Sequence, residues 1–197
     1  MTQINLEAQY KRGLITDRQM VRLVRLGILG NTMGITQEEF ERITGKKLDA
    51  VISLEEVKHM QHGTVNGYRE SCRMVNTVTY MGDEFEVNRT SQSNLTAMVL
   101  SALLAKQGGA PDSTTYTYRS ATNTDHEFTF EQLVGLSVAM ITKISQIYEK
   151  SWTMKTEIDN AKTVADALRV TADCGDINKG QCDGNGSICM NSVAREQ

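Results

Sequence analysis

Large apolar residues recur at helical spacing through residues 14–26, 35–43, 95–103 and 133–168, and alternate with polar ones through residues 74–87 and 115–130. The first two stretches share one design. Thr16 has the chemistry of an N-cap, and Gln19 stands three residues on, where a capping box needs it. Ile15 and Met20 flank the cap at the spacing of a hydrophobic staple, and Val21, Leu23, Val24 and Leu26 carry the helix toward Gly27. Thr36 repeats the arrangement with Glu39, with Ile35 and Phe40 as the staple pair, and Ile43 and Gly45 close the helix. Residues 29–34, LGNTMG, read as the turn between them. A shorter helix over residues 5–12 precedes the pair, with Leu6 and Tyr10 four apart.

Helices this short expose as much apolar surface as they bury on each other, and about 45 residues make a marginal unit. The hairpin is therefore expected to pack on something else. Leu14, Met20, Leu23, Val24, Phe40 and Ile43 are its candidate interaction residues.

Residues 74–88, MVNTVTYMGDEFEVN, read as a β-hairpin turning at Gly82 and Asp83. A helix with Leu95, Met98, Val99, Ala102 and Leu103 on one face follows, stopped by Gly108 and Gly109. Two further strand-like pieces flank a turn at residues 123–125. Thr129 and Gln132 then form a third capping box. Beyond it Leu133, Ser137, Met140, Ile144, Ile147, Ser151, Met154, Ile158, Ala161, Ala165 and Leu168 recur in steps of four and three, about five heptads. A second line, Leu136, Ile141, Tyr148 and Trp152, widens the first half, and residues 159–163 could break the helix. Two readings stay open for this stripe. It packs on its own domain, or Leu133, Met140, Ile144, Ile147, Met154 and Ile158 form a seam between identical chains.

The expected fold class is α+β: an N-terminal helical hairpin, a small antiparallel β-sheet with a packed helix, and a long heptad-patterned C-terminal helix. The expected domains are residues 1–48, a helical-hairpin docking module; 49–73, a linker holding Gly63 and Gly67; 74–170, the α+β domain with its long helix; and 171–197, a Gly- and Cys-containing tail.

Charge adds exclusions rather than positive signals. The net charge is −3 over 197 residues, with no strongly polarised segment, so neither nucleic acid nor an anionic membrane is an expected partner. The start, MTQINLEAQYKRG, lacks the apolar core of a signal peptide, and no run reaches the roughly 18 apolar residues of a membrane helix. Reduced thiols are then the default for the four cysteines.

Candidate chemistry is sparse. His59 and His62, with Cys72 downstream, lack a fourth zinc ligand and the usual cysteine pairing. The gaps between Cys174, Cys182 and Cys189 match no common zinc spacing. That tail reads as a flexible end, as the site of one disulfide, or as a calcium loop using Asp176, Asn178, Asp183 and Asn185, though it lacks the closing bidentate Glu of an EF-hand. No GxSxG elbow, Cys–His pairing or Gly-rich phosphate loop is present. The carboxylates of GDEFE, residues 82–86, read as a solvated edge, and His126 has no evident partner. The expectation is a protein that is not an enzyme and uses no cofactor and no metal.

Tyr10, Lys11, Arg12, Gly13, Leu14, Ile15 and Thr16, then Val21, Val24 and Gly27, then Ile35, Thr36, Glu38, Glu39, Phe40, Ile43, Thr44 and Gly45 resemble the XkdX family of small bacteriophage proteins, encoded among tail genes. That family places its second Ile-Thr directly after the first glycine; here ILGNTMG intervenes. Residues 78–168 are similar to an uncharacterised domain of phage tail-fibre and related proteins. Tyr80, the Gly82–Phe85 stretch, Ser91, Gln92, Thr122, Asn123 and the Thr129 cap carry that likeness, with Tyr116 and Tyr118 where a tryptophan is common. The resemblances imply a structural part of a phage tail, baseplate or tail fibre, made in the host cytoplasm and placed in the virion. Other virion proteins would be its partners, and it would form a homo-oligomer, with a trimer as one arrangement. A non-virion assembly chaperone is the alternative. A glycan-cleaving enzyme would need two converging carboxylates.

Overall fold

Helices begin where the capping residues stand. The computed structural model describes residues 6–171. Thr16 and Thr36 cap α2 (Asp17–Ile28) and α3 (Gln37–Thr44), each through a complete capping box with Gln19 or Glu39. Helix α1 (Leu6–Lys11) precedes them and α4 (Leu48–Val51) follows. Then come α5 (Leu54–Val75), β1 (Thr77–Tyr80), β2 (Asp83–Glu86), α6 (Arg89–Gln107), β3 (Tyr116–Arg119), β4 (Asp125–Phe128), α7 (Phe130–Asn160) and α8 (Val164–Arg169). This is an α+β fold. Its strands form two separate antiparallel pairs, β1 with β2 and β3 with β4. Two compact units result: residues 6–66 with 152–171, and Gly67–Ser151. Helices α5 and α7 each contribute to both.

In the first unit, Met20, Val21 and Val24 of α2 and Phe40 and Ile43 of α3 share a buried cluster with Leu48, Ile52, Val57, Ala161, Val164, Ala167 and Leu168. The apolar side of the hairpin is thus filled by its own chain, chiefly by α4, α5 and α8. The connection between α2 and α3 is tighter than a simple turn. The chain leaves α2, loops through residues 29–34 and comes back against it, where Ile35 N–H donates to the Leu23 carbonyl at 3.0 Å. Gly27 and Gly34 sit backbone to backbone at the crossing, with no room for a Cβ on either.

The stretch expected as a linker is instead almost wholly helical, since α5 spans Leu54–Val75. Val57, Gln61 and Val65 recur four apart and are buried, a helical face that the two glycines obscured. Gln61 Nε2–H donates to the carbonyls of Ala167 at 2.8 Å and Val170 at 3.2 Å, serving carbonyls at the C-terminal end of α8 that have no partner within the helix. Lys58 Nζ donates to the Asp159 carbonyl at 2.9 Å, and His62 Nε2 lies 2.9 Å from the Asp159 carboxylate. A Cβ on Gly63 or Gly67 would meet nothing within 4 Å. Gly63→Ala and Gly67→Ala are therefore each expected to stabilise the protein by about 0.5–1 kcal/mol. Urea unfolding checks this, and a loss of stability would contradict a continuous α5.

In the second unit, β1 and β2 pair in the register Thr77 to Glu86 and Tyr80 to Asp83. Met81 and Gly82, at φ 50° and 88°, make the two-residue turn, the primed geometry that tight hairpins favour. β3 and β4 pair Tyr116 with Phe128 and Arg119 with Asp125. Phe85 stands at the centre of an aromatic group, its ring 5.5 Å from His126, 5.8 Å from Phe128 and 6.1 Å from Tyr118. Tyr80 lies over Gly135 of α7, where a Cβ would come 2.3 Å from the phenol oxygen. Thr129 caps α7 as its box predicts, with Thr129 N–H donating to Gln132 Oε1 at 2.8 Å. The long helix does not run unbroken to Leu168: α7 ends at Asn160, and Thr163 caps α8 afresh, its hydroxyl accepting from Asp166 N–H at 3.0 Å.

Candidate functional site

The densest polar arrangement lies where the two β-hairpins meet. Asp83 opens β2 directly after the turn. One oxygen accepts from Glu84 N–H at 2.7 Å, and the other lies 2.8 Å from His126 Nε2 on β4. The Thr122 hydroxyl, from the β3–β4 loop, donates to the same carboxylate at 3.1 Å. Ala121 N–H donates to the Glu84 carbonyl at 2.8 Å, a backbone link between the hairpins. Within the loop, the buried Ser120 hydroxyl exchanges with Thr122 at 2.8 Å and accepts from Thr124 N–H at 3.2 Å. Glu84 accepts from the hydroxyls of Thr77 and Thr79 across the hairpin.

The backbone N–H of Glu84, then His126, then Ser120 favour the charged carboxylate, so the Asp83 pKa falls to about 2. Asp, His and Ser together suggest nucleophilic catalysis, but the geometry is of another kind. Among the described residues no hydrogen bond joins Ser120 to His126. The imidazole is held between rings, stacked 5.7 Å from Phe128 and edge-on to Phe85. What this arrangement does is join two hairpins through a fixed negative charge.

The sign of its pH dependence follows. The folded pKa lies below the unfolded value near 3.9, so the charged carboxylate stabilises the fold above pH 4 and loses that contribution as pH falls from about 4 to about 2. Asp83→Asn is expected to unfold more easily than wild type at pH 6, with the gap closing toward pH 2. Urea midpoints across that range measure it, and a gap independent of pH would contradict the assignment.

A second concavity, of about 410 Å³, opens in the first unit among Gln37, Glu41, Lys47, Asp49 and Thr163. Its charges are of both signs, unlike the mostly apolar lining of small-molecule sites.

The residues singled out in the sequence fall as follows. Of the hairpin set, Met20, Val24, Phe40 and Ile43 are buried in the first unit's own core and Leu23 packs against it, while Leu14 is 67% exposed. Their apolar face is not free for a partner, because α4, α5 and α8 already cover it. Of the heptad seam, Leu133, Met140, Ile147, Met154 and Ile158 are buried within the chain and Ile144 is half-buried. The stripe packs on its own fold, and the reading as an exposed seam between chains is corrected. His59 is exposed, and His62 pairs with Asp159. Cys72 is buried. Cys174, Cys182 and Cys189, and the calcium reading of that tail, lie outside the described residues. Asp83, expected on a solvated edge, and His126, expected alone, turn out to be each other's partners. Only their alternation in strand-like segments hinted at it, and pairing across 43 residues has no local signature.

The elements of this junction lie inside a stretch with known relatives. Residues 56–173 match a family described as Domain of unknown function (DUF4376). The chain belongs to this family. The DUF4376 stretch opens within α5 and runs through the Asp83 junction, α7 and α8; helices α1 to α4 precede it. No curated protein and no solved structure matches the chain.

Proposed function

We propose that this protein is a structural component of a bacteriophage tail, baseplate or tail fibre, seated on a neighbouring virion protein through its N-terminal hairpin. One observation carries the reading: the sequence pattern from Tyr10 to Thr16 and from Ile35 to Gly45, which resembles the XkdX family of tail-gene products. The use of polar side chains supports it. Asp83, His126, Gln61 and His62, the groups best suited to chemistry, are spent in joining hairpins and helices. The position of the hairpin supports it too. It precedes the DUF4376 stretch and is fastened to α8 through its apolar side, so its outer surface, with Leu14 and Met33 exposed, is what a neighbour would meet.

The test is mass spectrometry of purified particles from the phage encoding this chain. Stoichiometric copy number is expected. Absence from particles whose assembly still requires the protein would overturn the reading in favour of an assembly chaperone.

A further inference from the structure

Three guanidiniums in the second unit share one carboxylate. Glu70 of α5 accepts through one oxygen from Arg69 Nε and Nη2, both at 3.3 Å. Its other oxygen accepts from Arg89 of α6, at 3.2 Å from Nε and 3.0 Å from Nη2. Arg73, one turn along α5, comes only within 3.9 Å of that second oxygen. Elsewhere in this unit the balance is even or reversed: Arg119 pairs with Asp125, and Lys106 with both Asp112 and Glu131. Here three cations against one carboxylate leave two positive charges over. Glu86, beside the start of α6, accepts from Asn88 and Ser91 and makes no ion pair with the three.

Burial makes that surplus costly. Arg73 is 5% exposed; its Nη2 donates to Gln92 Oε1 at 2.9 Å, and its Nε–H is buried without a hydrogen-bond partner. A buried cation needs a close counter-charge, and a carboxylate already held by two other arginines is a poor one. Tyr148 of α7 offers its ring face, with the Arg69 and Arg73 guanidinium carbons 4.7 and 6.0 Å from the centroid. A ring face attracts a cation but does not neutralise it.

The cluster is open on one side. The Arg73 and Arg69 side chains are largely covered, whereas that of Arg89 is 72% exposed. Arg69 and Arg89 both turn the Nε–Nη2 edge to Glu70, so the Nη1 of each keeps its donors without a partner among the described residues. Planar forks of this kind suit the oxygens of carboxylate and phosphoryl groups. Charge decides between the two. The surplus matches a phosphoryl group, at about −1.5 to −2 near pH 7, and exceeds what a single carboxylate would neutralise. We propose that Arg69, Arg73 and Arg89 form a binding site for a phosphoryl group, with Arg69 and Arg89 donating to its oxygens and Arg73 adding charge from the buried side.

The inference goes beyond the reading of the chain as a virion part and does not depend on it. Inorganic phosphate is titrated into the full chain, with ionic strength held constant by sodium chloride. It should raise the thermal midpoint saturably and shift the Nε–H resonances of Arg69 and Arg89, and acetate should do much less. Arg89→Gln, at an exposed position, should weaken phosphate binding about tenfold or more. Glu70→Gln should tighten it, because a competing carboxylate is gone; in a purely internal ion network the same change would only destabilise the fold. O-phosphoserine separates the sources. Tighter binding than inorganic phosphate indicates a phosphoryl group carried on a protein, and equal or weaker binding indicates free phosphate. A response to phosphate no larger than that to acetate, an Arg89→Gln chain that binds as wild type does, or a folded Glu70→Gln chain that binds more weakly would each overturn the proposal.

Discussion

Gly34→Ala is expected to destabilise the first unit by roughly 3 kcal/mol or more, through the loss of one buried side chain and its supporting hydrogen bonds. An added Cβ would stand 1.9 Å from Gly27 N and 2.4 Å from its Cα. The reciprocal change, Gly27→Ala, would place a Cβ 2.2 Å from the Ile35 carbonyl oxygen. In both cases the obstructing atoms are backbone, which cannot rotate aside as a side-chain tip would. Relief requires the loop to lift from α2. That movement would sacrifice the bond from Ile35 N–H to Leu23 and the bond from Asn31 N–H to the Leu26 carbonyl, and would draw the buried Ile35 out of the core. Expressed as temperature, the loss is roughly 6–12 °C at 2–4 °C per kcal/mol for a chain of this size. The same chemical change at Gly63 has the opposite expected sign, because there the added methyl meets open space. Thermal unfolding of the two variants side by side is the measurement. A Gly34→Ala protein within about 1 kcal/mol of wild type, a typical point-mutant effect, would mean that the loop does not close on α2 as described.

These glycines show where sequence is legible and where it is not. The caps at Thr16, Thr36 and Thr129 could be read because a capping box is complete within four residues. The order of strands and helices could be read for the same reason: alternation and helical spacing are local. Gly27 was legible as the approach to a helix end, but its contact with Gly34 belongs to the folded chain. Gly63 and Gly67 misled in the other direction, since glycine inside a helix costs only about 1 kcal/mol and the buried face of α5 outweighs it. The heptads of α7 were correctly seen as a stripe needing cover. A step of four and three has the same appearance whether the cover is a second chain or the chain's own fold, so the periodicity could not say which. The hairpin set failed likewise. Met20, Val24, Phe40 and Ile43 do pack on something, and that something is α4, α5 and α8, the last more than a hundred residues downstream. Helix α6 was half visible: the face recognised from Leu95 and Ala102 is the buried one, and only burial shows that Leu100 and Leu104 have been left outside.

Phe85→Ala is expected to cost about 3–5 kcal/mol, the range for emptying a buried aromatic site. Phe85 is 1% exposed and contacts three rings, all from the opposite hairpin: Tyr118 on β3 and His126 and Phe128 on β4. Pairs in such tilted arrangements contribute about 0.5–1.5 kcal/mol each beyond area burial, which places the expectation toward the upper end. The consequence reaches past stability. Two-stranded hairpins are marginal in isolation, and among the described residues each sheet of this protein has only two strands. Phe85 is therefore what lets each hairpin lean on the other, while Asp83 and the Ala121 N–H fix their alignment at the rim. Removing the ring should lower amide protection on β3 and β4 as much as on β1 and β2, although the substitution lies on β2 alone. Phe85→Leu, which keeps an apolar filler but no ring, should fall between. Protection lost on β1 and β2 with β3 and β4 untouched would show that the second hairpin is held by α6 and α7 instead. In that case the Asp83–His126 bond would be a contact between two independently supported sheets, while the pH dependence of Asp83→Asn, set first by the adjacent Glu84 N–H, would remain.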